Sequence, residues 1–86
     1  MKNYRALYGL TEFVSPWCDS ATILGSGEAE FLRMCNQRKC TIVSKDAEGW
    51  LVEMWSVDGT NETLEAEEMV QQQDDVLKRV LSWLNG

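Results

Sequence analysis

The stretch "EAEEMVQQQDDVLKRVLSWLN", residues 65–85, constrains the fold more than any other part of this 86-residue chain. Placed at about 100° per residue, Met69, Val70, Val76, Leu77, Val80, Leu81, Trp83 and Leu84 fall within an arc of roughly 160°. Glu67, Glu68, Gln71, Asp74, Asp75, Lys78, Arg79 and Ser82 fall on the opposite side. The pattern predicts a long amphipathic C-terminal helix whose apolar side must be covered. Gln73 sits inside the apolar arc. It reads either as a side chain satisfied by a backbone group or as the place where the helix meets a partner or a second copy.

The cover is expected to be a sheet. "KCTIVSKDAEGWLVEMWSVDG", residues 39–59, predicts a β-hairpin, with two β-rich runs flanking the turn residues of "KDAEG". In its second strand Trp50, Val52 and Met54 share one face, and Leu51, Glu53, Trp55 and Val57 share the other. Both faces are largely apolar, which suits a strand central in a sheet or half-covered by a partner. "DGTN" makes the next turn, and "ETLE" adds a short strand or leads straight into the helix. Upstream, residues 2–10 predict a first strand, and residues 11–20, which hold the only proline, predict a loop. "ATIL" is a short strand or a lead into a helix over residues 25–39. Ser26 would cap that helix, Glu28 and Glu30 would occupy its first turn, and Phe31, Leu32, Met34 and Cys35 would form its apolar side. The fold class is α+β: a single domain over residues 1–86, with a small antiparallel sheet of three to four strands packed with one or two helices.

Hydrophobic content of 44% is that of a globular domain rather than a disordered one. No apolar run approaches the ~20 residues of a membrane span, and "MKNYRALYGL" lacks the apolar core of a secretion signal. A cytoplasmic location with no membrane partner is therefore expected. Three cysteines cannot all pair, and the expectation is buried free thiols. Cys35 and Cys40 would bond only if a helix-to-strand turn brought them together.

Signatures of chemistry are weak. "TILGSGEAEF" has a strand, a glycine-rich turn and a helix start, yet it lacks the phosphate-loop lysine and puts Glu28 and Glu30 where phosphate would sit. Histidine is absent and the cysteines are not in metal-ligand spacing, which argues against zinc and against the usual general base. No EF-hand pattern of alternating oxygen ligands is present. The expectation is a non-enzyme without metal or cofactor. "NET" at Asn61 is a glycosylation triplet with no secretion signal to give it meaning.

Charge is the most informative remaining feature. Residues 1–45 hold six basic and four acidic side chains, whereas residues 46–77 hold ten acids and no base. Such a block opposes direct nucleic-acid binding, which needs a basic stripe. Solvation explains acids but not the absence of interspersed cations, because a one-sided block costs folding free energy by self-repulsion. Acids interleaved with Trp50, Trp55 and Met69 suit a basic protein surface, where charge steers the encounter and aromatics anchor it. Trp17, on the proline-containing loop, is the tryptophan best placed for a surface.

The expected function is a small acidic inhibitor or neutraliser of a basic, nucleic-acid-binding protein such as a nuclease. Immunity proteins, antitoxins, and phage-encoded anti-restriction or anti-CRISPR proteins that mimic nucleic acid share this size and charge. That is an analogy, not a motif. The expected partner-binding residues are Trp55, Asp58, Glu62, Glu65, Glu67, Glu68, Asp74 and Asp75. The alternative is an oligomeric adaptor or accessory subunit that associates, as a homodimer or with a larger partner, through the apolar side of its C-terminal helix.

Overall fold

Side chains that alternate between two faces organise most of the chain between residues 20 and 70. The computed structural model describes residues 18–25 and 30–85. Five strands follow one another: β1 (Ser20–Leu24), β2 (Phe31–Cys35), β3 (Lys39–Asp46), β4 (Gly49–Asp58) and β5 (Asn61–Val70). Each pairs antiparallel with its sequence neighbour, so the sheet order is β1-β2-β3-β4-β5. Helix α1 (Gln73–Asn85) closes the fold. The α+β class stands, with five strands among the described residues rather than three to four. Among the described residues no helix is long and apolar enough to cross a membrane.

The register sets out the two faces row by row. On the inner face Ile23, Leu32, Val43, Val52 and Glu68 lie opposite one another across the sheet. The next row is Ala21, Met34, Thr41, Met54 and Ala66. Helix α1 lays Val76, Val80 and Leu84 on this face, and Leu32, Met34, Val43, Val52 and Val80 are all fully buried. Thr41, the one buried polar side chain among the described residues, donates its hydroxyl hydrogen to the Glu53 carbonyl at 2.9 Å. A methyl-bearing hydroxyl with its bond satisfied costs little to bury.

Helix α1 starts after Gln72, whose carbonyl accepts from the N–H groups of Asp75 and Val76. Asp74 and Asp75 sit in the first turn, where the helix dipole favours negative charge. Asn36, in the turn between β2 and β3, holds the far end. Its Oδ1 accepts from the N–H groups of Arg38 and Lys39, and its Nδ2 donates to the Leu84 carbonyl at 2.9 Å. Trp83 Nε1 donates to the Cys40 carbonyl at 2.9 Å, and Lys39 Nζ lies 4.5 Å from the centre of the Trp83 ring. One short turn thus satisfies its own backbone and an orphan carbonyl at the helix end.

Two expected helices are corrected. Residues 31–35 form β2, not part of a helix over 25–39. "FLRMC" offers apolar doublets, Phe31-Leu32 and Met34-Cys35, that satisfy a 3.6-residue period as well as a two-residue one. Pairing with β1 and β3 decides for the strand, with Leu32 and Met34 inward and Phe31 and Arg33 outward. Likewise the C-terminal helix does not reach back to residue 65. Residues 61–70 pair with β4 at every position but Glu65, and tertiary pairing overrides the helix preference of Glu, Ala and Met. Gln73 is consequently the exposed first residue of α1, not a polar intrusion in its apolar side. "ATIL" belongs to a strand, and the hairpin over 39–58 is present with its turn at 47–48. The strand expected over residues 2–10, most of the loop over 11–20, and Trp17 lie outside the described residues.

The cysteines also depart from expectation. Cys35 and Cys40 are directly opposed on β2 and β3 and form a disulfide, while Cys18 is a free, half-buried thiol. The hairpin, not a helix-to-strand turn, brings them together. Titration of the unfolded, unreduced protein should therefore find one thiol per chain, and three after reduction. The core is tested separately: Leu32→Ala removes a side chain with no exposure and should lower the unfolding free energy in urea by about 2–5 kcal/mol.

Candidate functional site

The acids expected to bind a partner do not gather into a patch; they follow one edge of the sheet, with Glu62 and Glu67 on the outer face and Glu68 on the inner one. Glu62, Glu65, Glu67 and Glu68 stand on β5, which lies at the edge of the sheet, and residues 61–67 are exposed throughout. Asp58 lies at the β4–β5 turn, next to Gly59, whose positive φ of 64° forms that tight connection. Asp74 and Asp75 begin α1, just beyond the opposite end of β5. A ten-residue strand spans roughly 30 Å, so Asp58 and Asp74 are separated by the length of the edge.

A β-bulge bends that edge. The register shifts between Met54 and Trp55, with Met54 opposite Ala66 and Trp55 opposite Leu64, so Glu65 is the extra residue. Its carboxylate accepts from the Ser56 hydroxyl. Trp55 is half-buried on the outer face and donates its Nε1 hydrogen to Glu53 Oε1 at 3.0 Å. Glu53 in turn stands directly opposite Glu67 across the β4–β5 pair. Two carboxylates facing each other across a ladder repel, and the Trp55 N–H at Glu53 lessens that cost.

Intramolecular cations claim part of the acidic line. Arg33 Nη2 pairs with Glu62 Oε1 at 2.9 Å, Arg79 Nε pairs with Glu68 Oε2 at 2.6 Å, and Lys78 Nζ lies 3.9 Å from Asp75 Oδ1. Among the described residues, Asp58, Glu65, Glu67 and Asp74 have no cation within 4.0 Å. Sequence reasoning missed the two arginine pairs because Arg33 and Glu62 are 29 positions apart and Glu68 and Arg79 are 11 apart. Alternation on β2 and β5, once those strands are recognised, is the signal that places Arg33 and Glu62 on the outer face.

Beside the edge lies a groove of about 610 Å³ between β5 and α1, with Glu68, Gln71, Gln72, Asp75, Lys78 and Arg79 among its lining residues. Its charges are mixed in sign, and Met69 and Val70 add apolar surface. Burial, joined by the charge of Asp19, pushes the Cys18 thiol above its usual range; a protonated thiol is a poor nucleophile. The apolar side of α1 is occupied within the chain, since Val76, Val80 and Leu84 are buried against the sheet. Self-association through that side would therefore compete with the core.

Comparison of the chain with models of known protein families, with curated proteins and with solved structures finds no match.

The two arginine pairs are exposed enough for solvent to screen them. Arg33→Ala and Arg79→Ala should each cost less than about 1 kcal/mol of stability in urea unfolding, while adding one net negative charge to the β5 edge. A larger loss would mean that these arginines hold the sheet rather than trim its charge.

Proposed function

We propose that this chain is a small acidic protein-binding protein that neutralises a basic, nucleic-acid-binding partner, a nuclease being the foremost class. The observation that carries the reading is the line of carboxylates on the exposed edge strand β5, continued by Asp74 and Asp75 at the start of α1. A basic surface meeting that line gains Coulomb attraction at long range, and the neighbouring Leu64 and Met69, 42% and 44% exposed, supply apolar contact once it has docked. Immunity proteins and antitoxins of nuclease toxins, and phage-encoded inhibitors that imitate a phosphate backbone, share this size and charge. The protein would act in the cytoplasm, without cofactor, as a stoichiometric binder rather than an enzyme.

Capture from the native host's lysate tests the reading. The expected result is a basic nucleic-acid-binding protein retained at about 50 mM salt and weakened at about 200 mM, as exposed charge pairs require. Glu65→Lys, Glu67→Lys and Asp74→Lys combined should slow its association about tenfold or more. A partner whose binding ignores both salt and the triple substitution would overturn the reading.

A further inference from the structure

The edge of β5 offers backbone groups as well as charge, and their direction follows from the ladder. The Val57 N–H donates to the Arg38 carbonyl, so Val57 turns its backbone toward β3. In an antiparallel sheet this direction alternates along the strand. Trp50, Val52, Met54, Ser56 and Asp58 therefore turn their backbone toward β5. Their partners Val70, Glu68, Ala66, Thr63 and Asn61 answer them. Glu62, Leu64, Glu67 and Met69 are left with N–H and C=O groups pointing away from the sheet. No strand among the described residues lies on that side, and residues 61–67 are all exposed. The bulge at Glu65 divides the outward row into two runs, Glu62 with Leu64 and Glu67 with Met69.

We infer that this edge receives an extended basic segment of the partner as a sixth, antiparallel strand. The inference rests on the function proposed above and specifies how the partner is held. Charge selects the occupant. A second copy of the chain would set the four glutamates of one β5 against the four of another, which like-charge repulsion disfavours. A segment with Lys or Arg at alternate positions brings cations to Glu65 and Glu67, whose carboxylates have no cation within 4.0 Å among the described residues. Backbone pairing supplies affinity independent of the partner's sequence, and the alternating side chains supply selection.

The probe is a peptide of about nine residues alternating lysine and valine, compared with the same peptide N-methylated through its centre. N-methylation removes backbone donors and keeps every charge. The whole protein, labelled with ¹⁵N, reports amide shifts on titration. Expected are shifts at the amides of Glu62, Leu64, Glu67 and Met69, and binding about tenfold or more weaker for the methylated peptide, since several backbone hydrogen bonds are lost. Met69→Pro, which removes one outward N–H and no charge, should weaken the unmethylated peptide similarly while the amide spectrum stays dispersed. Equal, salt-sensitive binding of both peptides would overturn strand addition and leave the acidic-surface reading standing. Binding of neither peptide would also overturn strand addition, and the lysate capture then decides the broader reading by itself.

Discussion

A single antiparallel sheet cannot bury both of its faces, and in this chain one 13-residue helix covers the inner one. The rest of the structure depends on that coverage. Val76, Val80 and Leu84 are spaced so that one side of α1 meets the rows led by Leu32 and Met34. The connection from β5 is only Gln71 and Gln72, so the helix must turn back at once. Space for that return exists because Gly49 approaches the Val70 carbonyl closely; a Cβ there would sit 2.6 Å from the oxygen. Asn36 and Trp83 then fix the other end of the helix to the β2–β3 turn. The helix is held at both ends by polar contacts and along its length by apolar ones.

With the inner face closed, the rim and the outer face carry the charge of the sheet. Arg33 and Arg79 reach from β2 and α1 to hold Glu62 and Glu68, so self-repulsion along β5 is moderated without cancelling the line of charge. Position matters more than the total. The same acids on a helix would circle its axis, whereas on an edge strand they follow one open side of the sheet.

The fold is legible in the residues where local signals agree with one another. "KDAEG" between two β-rich runs identifies the β3–β4 hairpin, and residues 76–84 show the helical period that the sheet buries. The fold is hidden where local preference and tertiary pairing disagree. Glu62 to Met69 carry helix-favouring residues, yet the partner strand β4 imposes its register on them. Phe31 to Cys35 fit two periods at once, and only the neighbouring strands decide. The acidic block was legible as composition. Its arrangement along one edge, the bulge at Glu65 and the cations that temper it were not, because each depends on residues brought together from distant positions. The bonded pair Cys35–Cys40 was hidden for the same reason, since β2 had first to be recognised as a strand.

The strictly sequential order of the strands has a consequence for biosynthesis. Every strand finds its partner in the segment just made, across connections as short as residues 47–48 and 59–60. Loop closure is cheap at each step, so hairpins can zip up in the order of translation. A sheet whose strands have paired before α1 packs on it leaves its apolar inner rows open on one side. That intermediate, rather than the finished fold, is the form of this chain open to aggregation and to chaperone capture.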